Sequence, residues 1–427
     1  MRELDRRDFL RSSSLAGLGF GLARFGTTPF ARPLAPRRAR ADAVIHLHLG
    51  GGLSHIDSFD PKPEAPVEVR GPFGVVNCAG HGERVSDQLP KIAAISDKIT
   101  IVRSVTHTEA DHDRGTHSVL TGFQPSPAIV YPSLGAVVAH ELPARNDVPA
   151  YICVPNVVSA FEGTGYLSAA FAPFAVGGNP ARDNFRVRDL AAPKDVTEAR
   201  RDHRRELLHD LDARFRELGD GDVLAANEEF YRQAYALIGS PAARDAFDLQ
   251  KEPDAKKDRY GRTGFGMSSL LARRLVQGGA RYVMVNLGGF DHHVQIGRDL
   301  AARLREVDQT YAALIADLDA EGLLQSTLVL LTTEFGRTPK INADAGRDHW
   351  QRVFSVVLAG GGIARGLVHG ASNATGAEPE RDPVRPADLA ATVFSQLGID
   401  VEKKLLAPGD RPIDLVRDGR VLREVLA

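Results

Sequence analysis

Short apolar runs, each followed by a glycine-rich or polar loop, recur along most of the chain. Their near-continuous apolar character is typical of strands that are covered on both faces, as in a parallel sheet flanked by helices. We therefore predict an α/β fold with a doubly wound, mostly parallel sheet. The predicted strands are residues 44–49, 99–105, 150–154, 281–287, 326–334 and 354–360.

A helical pattern lies between the fourth and fifth of these strands. Leu300, Leu304 and Val307 begin a stripe of apolar residues spaced three or four apart, and it continues to Leu318. This spacing predicts an amphipathic crossover helix that joins the two strands. Residues about 190–260 are also helical in pattern but highly charged, so we interpret them as a helical insertion whose charges form a solvated face.

The first 43 residues have a different character from the rest. Arg6 and Arg7 precede Phe9 and a glycine- and alanine-rich run, which is the pattern of a twin-arginine export signal. The run is too short and too polar for a stable membrane helix. We predict a signal peptide and linker over 1–43, an α/β domain over 44–427 without a transmembrane segment, and a periplasmic or envelope-associated location. A basic, disordered tail is the alternative interpretation of 1–43.

Composition narrows the class of protein. Of 427 residues, 43% are apolar and 25% are charged, which excludes a disordered or membrane-embedded chain. The formal net charge of −2 gives no basic footprint, so neither nucleic acid nor anionic lipid is expected as a partner. Cys78 and Cys153 are too few and too far apart for a thiolate metal site, and the sequence leaves open whether they pair.

Acids and histidines collect in the loops that follow the predicted strands. Ligands of open α/β sheets bind beyond the carboxyl ends of the strands, where these loops emerge. Carboxylates and imidazoles bind divalent cations, which polarise phosphoryl or sulfuryl oxygens. We therefore predict one or two divalent ions, with Zn, Mn, Mg and Ca all open. The polar residues of these loops include His55, Asp57, His107, Asp111, His112, Asp113, Thr116, His117, Asp291, His292, His293, Glu334, Asp348 and His349.

Single residues of this set have simpler explanations. Asp57 precedes Pro-Lys-Pro and is compatible with a turn or cap, and Glu334 is compatible with an ordinary ion pair to Arg337. His349 beside Trp350 is compatible with a packed loop histidine. One shared metal, however, explains all the loops together.

The assembled motifs resemble an uncharacterised family of twin-arginine-exported bacterial proteins within the alkaline phosphatase/sulfatase-like superfamily. The resemblance spans nearly the whole mature chain and implies an alkaline phosphatase-like fold with metal ligands on loops at the strand ends. It implies no established substrate. The matching stretches are "GGLSHIDSFDPKP", "HSVLTG", "FDLQKEPDAKKDRYGRTGFG", "GGFDHH", "TEFGRTPKIN" and "GRDHW".

The resemblance also implies a ligand set. Asp57 and Glu334 match the acids of one metal, although Phe335 follows Glu334 where many relatives have a histidine. Asp291, His293 and His349 match the ligands of the second metal. His55, His117 and His292 are possible additional ligands.

The nucleophile is the position at which the chain departs from its relatives. They place Ser, Thr or a formylglycine-forming Cys nine residues before the Thr of an "LTG"-like ending, and here that count leads from Thr121 to His112. The sulfatase signature C-x-P-x-R is absent. Thr116 or Ser118 in a shifted register, His112 as ligand or nucleophile, and a metal-bound hydroxide all stay open. Arg114 or Arg337 is expected to clamp the anion.

These residues predict a metal-dependent hydrolase of phosphate or sulfate esters, acting on an anionic ester of a small molecule or glycan. The alternative from another class is a non-catalytic envelope protein that retains the fold and at most one metal, and that binds a glycan, a lipid head group or a protein.

Overall fold

The computed structural model describes residues 39–80, 82–187 and 221–427, and also 190, 197, 199–200, 203–204, 206–207 and 210. The predicted signal peptide lies outside the described residues up to residue 38. Much of the predicted insertion between 190 and 220 also lies outside them, so both stay predictions.

An eight-stranded sheet forms the centre of the described chain. Its order is β12-β4-β11-β8-β1-β7-β5-β6, and within it β11 alone runs antiparallel to its neighbours. The predicted α/β class with a mostly parallel sheet is therefore confirmed. The strands are β1 (Ala43–Gly50), β2 (Val75–Asn77), β3 (Arg84–Ser86), β4 (Ile99–Val105), β5 (Tyr151–Val154), β6 (Phe174–Ala175), β7 (Tyr282–Gly288), β8 (Thr327–Thr332), β9 (Gly336–Arg337), β10 (His349–Trp350), β11 (Phe354–Ala359), β12 (Leu367–His369), β13 (Ala371–Ser372), β14 (Pro379–Arg381), β15 (Lys404–Ala407) and β16 (Arg411–Asp414).

Helices cover both faces of this sheet. They are α1 (Val67–Arg70), α2 (Pro90–Ala94), α3 (His112–Thr121), α4 (Leu134–Glu141), α5 (Gly221–Gly239), α6 (Pro241–Ala246), α7 (Asp254–Tyr260), α8 (Gly264–Gln277), α9 (Ile296–Ala320) and α10 (Pro386–Gln396). Short 3₁₀ turns lie at Ser96–Lys98, Ala160–Glu162, Ala169–Phe171, Leu249–Lys251 and Arg423–Val425.

Two hydrophobic layers follow from the alternation of side chains along the strands. In β1, Ile45 and Leu47 belong to the layer that contains α8 and α9, whereas Val44 belongs to the layer that contains α3, α4 and α10.

Both cysteines, Cys78 and Cys153, are buried and free. Among the described residues, no helix combines the length and apolar character that a membrane crossing needs.

All six predicted strands and the predicted crossover helix are present. Strands β1, β4, β5, β7, β8 and β11 correspond to the six apolar runs, and α9 runs between β7 and β8. The predicted stripe of α9 is buried, including Leu300, Leu304 and Val307. The spacing of apolar residues was therefore sufficient to assign these elements.

The register of three neighbouring strands determines where the polar loops meet. His48 of β1 lies opposite Asn286 of β7 and Thr332 of β8, and both pairings are parallel. The three strands consequently end at the same edge of the sheet. The loops that begin at Gly51, Gly289 and Thr333 emerge there side by side.

Replacing Leu304 by Ala tests the crossover helix. Leu304 is fully buried in the layer between α9 and the sheet, so the cavity should lower the free energy of unfolding by about 2 to 5 kcal/mol. Chemical denaturation followed by circular dichroism measures this change. Arg305→Ala, one residue away on the exposed face, should shift it by less than about 0.5 kcal/mol. Equal effects of the two substitutions would contradict the assignment of faces.

Candidate metal centre

The carboxylate of Asp291, in the loop after β7, lies at the centre of a cluster of imidazoles. Its Oδ1 is 3.0 Å from His293 Nε2 and 3.2 Å from His349 Nε2. The two Nε2 atoms are themselves 3.1 Å apart. His349 reaches this position because β10 pairs with β9, which places it opposite Arg337.

The other nitrogen of each ring is held by a group that only accepts hydrogen bonds. His293 Nδ1 lies 2.8 Å from Asp348 Oδ1, and His349 Nδ1 lies 2.8 Å from the carbonyl oxygen of Ala110. In the tautomer with the hydrogen at Nδ1, each ring donates to that acceptor and presents a lone pair at Nε2. In this tautomer two lone pairs and the carboxylate oxygen of Asp291 lie about 3 Å from one another and can bind one cation.

A third imidazole approaches the other oxygen of Asp291. His112 is the first residue of α3, and its Nδ1 lies 2.7 Å from Glu334 Oε1. Its Nε2 is buried without a hydrogen-bond partner among the described residues, and Asp291 Oδ2 is 3.4 Å away. Ligand atoms of His112, Asp291 and His349 all lie within 4.8 Å of one another.

Glu334 is buried behind His112, just past the end of β8. Its Oε1 also accepts a 2.7 Å hydrogen bond from the backbone N–H of Gly51. Burial raises the pKa of Glu334, but the hydrogen bond from His112, the charge of His48 and backbone hydrogen bonds, including that from Gly51, together outweigh burial and lower the pKa. The same bond is the main cause that raises the pKa of His112.

Gly51 makes this close packing possible. Its φ is +116°, and a Cβ at this position would lie 2.6 Å from the backbone nitrogen of Asp291. Only glycine adopts such a conformation without strain and leaves room for the neighbouring loop. The loops after β1 and β7 can therefore touch at the centre of the cluster.

Arg337 is committed to the protein and is not free to clamp an anion. Its side chain is fully buried and its Nη2 donates to Asp291 Oδ1. Its Nε donates to the carbonyl of Gly52 at 2.8 Å and its Nη1 to the carbonyl of Arg347 at 3.0 Å. Burial raises the pKa of Asp291, but the hydrogen bond and charge of Arg337, the hydrogen bond from His349 and the charge of His112 together lower it below its ordinary value, so the carboxylate stays ionised. The expected role of Arg337 as a substrate clamp is therefore replaced by a role in holding Asp291.

Asp57 lies outside the cluster, in contrast to the ligand role that the resemblance implies. Its Oδ2 accepts from Arg347 Nε at 2.7 Å and from Ser54 Oγ at 2.5 Å. Both partners of the Asp57–Arg347 ion pair are fully buried. The carboxylate neutralises a buried guanidinium, and its oxygens are not directed at the three imidazoles.

The remaining predicted residues also have other partners. His55 Nε2 lies 2.8 Å from the Gly376 carbonyl, and burial lowers its pKa to about 4. His117 Nδ1 lies 3.1 Å from the Phe123 carbonyl, and burial lowers the pKa of His292.

Arg114, a predicted anion clamp, pairs with Glu109 through Nε at 2.5 Å. Thr116 lies one helical turn beyond His112.

Sequence reasoning named Asp348 as a polar loop residue without giving it a role, and it missed two further groups that shape this region. Asp348 stands beside His349 in "GRDHW", so its adjacency was a signal that it could orient an imidazole. The carbonyl of Ala110 and the side chain of Arg347 gave no such signal, because nothing in the sequence pairs them with His349 and Asp57.

The spacing of the donor atoms fits a shared cation. Metal–ligand bonds of about 2.0 to 2.1 Å in a tetrahedral arrangement separate the ligand atoms by about 3.3 Å, close to the separations around Asp291 Oδ1. Two imidazoles and one carboxylate suit Zn²⁺ and related divalent ions. The Asp291 and His293 side chains are 46% and 43% exposed, so the cluster is open to solvent on one side.

Substitution of Asp57 tests its structural assignment. Asp57→Ala should cost about 3 to 5 kcal/mol of unfolding free energy, because it leaves the buried guanidinium of Arg347 unpaired. Thermal and urea denaturation measure the loss. Metal bound per folded molecule should stay as in the unsubstituted protein. A selective loss of metal with unchanged stability would show instead that Asp57 is a ligand.

Comparison with curated proteins gives no sequence match. Comparison with solved structures gives remote likenesses. A protein in the alkaline phosphatase superfamily from Vibrio parahaemolyticus has 12% identity and a TM-score of 0.40, with 100% of this chain and 80% of that chain covered. The phosphonate monoester hydrolase SpPMH from Silicibacter pomeroyi has 12% identity and a TM-score of 0.39, with 90% and 76% covered. The lipoteichoic acid synthase LtaP from Listeria monocytogenes has 12% identity and a TM-score of 0.37, with 90% and 77% covered.

The sequence itself gives a family. Residues 41–426 match the family described as protein of unknown function DUF1501. The match spans nearly all of the described chain, and the protein therefore belongs to the DUF1501 family.

Proposed function

We propose that this protein is a metal-dependent hydrolase of phosphate or sulfate esters. The observation that supports this most strongly is the arrangement around Asp291, in which the Nε2 lone pairs of His293 and His349 face a carboxylate oxygen at 3.0 to 3.2 Å. A divalent cation among these three atoms would be coordinated by all of them.

Asp291, His293 and His349 are the three protein ligands in this proposal. Three ligands leave further coordination positions for water and substrate, as in catalytic sites. A bound divalent ion supplies a water of lowered pKa and polarises an ester oxygen. Asp348 and the Ala110 carbonyl hold the two rings, and Arg337 holds the carboxylate.

The open side of the cluster defines the substrate side. Nearly half of the Asp291 and His293 side chains is exposed, which suits an ester group carried by a small molecule or by a glycan. His112 faces the same space from the N-terminus of α3.

We further propose export by the twin-arginine route to the periplasm or envelope, on the basis of Arg6, Arg7 and the apolar run after them.

Metal content tests the ligand set. The purified protein, dialysed against Zn²⁺ or Mn²⁺ and then against buffer, should retain about one equivalent by elemental analysis. Asp291→Ala and His293→Ala should each lose it, because each substitution removes a ligand. Asp344→Ala, an exposed acid in the neighbouring loop, is the matched control and should retain it. Equal retention by all three variants would refute the ligand set.

Asp348 should tune the affinity without being a ligand. Asp348→Ala removes the group that orients the His293 ring, so the dissociation constant for Zn²⁺ should rise about 10- to 100-fold at unchanged stoichiometry. Competition with a chromophoric chelator measures the constant. If the constant equals that of Asp344→Ala, the ring does not depend on Asp348.

Ester turnover tests the activity itself. The metal-loaded protein should hydrolyse at least one of p-nitrophenyl phosphate, bis-p-nitrophenyl phosphate and p-nitrophenyl sulfate. Asp291→Ala should reduce release of nitrophenol to the rate of buffer alone, since the ligand set is broken. Absence of turnover by the metal-loaded protein with all three esters would contradict the proposal.

A non-catalytic envelope binding protein is the second candidate. It is favoured by one observation, namely that the guanidinium of Arg337 is fully engaged with Asp291 and backbone carbonyls. In that case Asp291→Ala would change metal binding or stability, and neither the variant nor the unsubstituted protein would hydrolyse the esters.

A further inference from the structure

The orientation of His112 determines which of its nitrogens can react. Nδ1 lies 2.7 Å from Glu334 Oε1, and Glu334 is buried and is held in turn by the Gly51 N–H. In the tautomer with the hydrogen at Nδ1, the ring donates to Glu334 and Nε2 carries the lone pair. Nε2 is the atom that faces Asp291.

The position of Nε2 differs from that of the two ligand imidazoles. His293 and His349 approach Asp291 Oδ1 at 3.0 and 3.2 Å, whereas His112 approaches the other oxygen, Oδ2, at 3.4 Å. Its ring nevertheless lies beside that of His349, with centroids 4.3 Å apart. His112 Nε2 is therefore next to the proposed cation site without sharing the oxygen around which that site is built.

Two hydroxyl groups in the segments beside the cluster are already engaged. Thr333 Oγ1 is buried, donates to the Leu49 carbonyl and accepts from the Leu53 N–H. Ser118, one of the two hydroxyls expected in a shifted register, donates to the Arg114 carbonyl at 3.0 Å. The cysteines are buried in the core. The imidazole of His112, in contrast, lies directly beside Asp291.

We propose that His112 Nε2 is the covalent nucleophile of this site, which rests on the proposed hydrolase function. In the first step a bond forms between Nε2 and the phosphorus or sulfur of the ester. The bond from that atom to the ester oxygen breaks, and the released alkoxide takes a proton from water. In the second step water attacks the phosphorus or sulfur, the bond to Nε2 breaks, and inorganic phosphate or sulfate leaves with the imidazole restored. The proton lost by this water neutralises the hydroxide left by the first step.

Glu334 is suited to support this step as a positioning residue. An imidazole substituted at Nε2 while Nδ1 keeps its hydrogen is positively charged, and a buried carboxylate at 2.7 Å stabilises that charge. His112 and the buried Glu334 thus resemble the nucleophile–orienting group arrangement of covalent catalysis in their geometry.

Chemical rescue distinguishes a nucleophile from a ligand. His112→Gly should keep the metal stoichiometry of the unsubstituted protein but lose turnover on the order of 10³-fold or more. Added imidazole should restore saturable turnover, and it should be released as N-phosphoimidazole or N-sulfoimidazole in the same amount as nitrophenol. ³¹P nuclear magnetic resonance or mass spectrometry identifies this product.

His349→Gly is the matched control. Imidazole there replaces a metal ligand, so any restored turnover should yield inorganic phosphate or sulfate only. Loss of metal from His112→Gly, retained turnover without imidazole, or failure of imidazole to give the N-substituted product would overturn the nucleophile while leaving the hydrolase intact. Absence of turnover in the unsubstituted protein would instead overturn the proposed function, and this inference with it.

Discussion

The site depends on the way in which three imidazole rings are fixed by acceptors behind them. Asp348, the Ala110 carbonyl and Glu334 each hold one Nδ1–H, so all three rings present Nε2 towards Asp291. Arg337 balances the charge of Asp291, and a divalent cation bound among the Nε2 atoms would be coordinated by the imidazoles and the carboxylate together.

The sheet provides this arrangement through its register. The parallel strands β1, β7 and β8 end together, so Gly51, Asp291 and Glu334 come from three distant segments and meet at one edge. Arg337 ties the same loops together through the carbonyls of Gly51 and Gly52 and through Asp291. A fully buried guanidinium thereby fixes the position of the carboxylate while leaving its other side exposed to solvent.

Sequence reasoning could predict the fold because apolar periodicity is a local signal. The runs at 44–49 and 281–287 and the stripe beginning at Leu300 were enough to define strands and a crossover helix. Asp291, His293 and His349 could be singled out because acids and histidines after buried strands are unusual, and the structure brings these three together. Asp57 looked equivalent by the same signal, yet it pairs with Arg347, 290 positions away in sequence. Long-range pairing of this kind leaves no periodicity, which is also why the engagement of Arg337 and the orientation of His112 could not be predicted.

Anomalous scattering from a crystal of the zinc-loaded protein would locate the cation. A single strong peak is expected about 2.0 to 2.2 Å from Asp291 Oδ1, His293 Nε2 and His349 Nε2, with His112 Nε2 outside the coordination shell. A map with no peak among these atoms, or with a peak centred on Asp57 instead, would contradict the proposed ligand set.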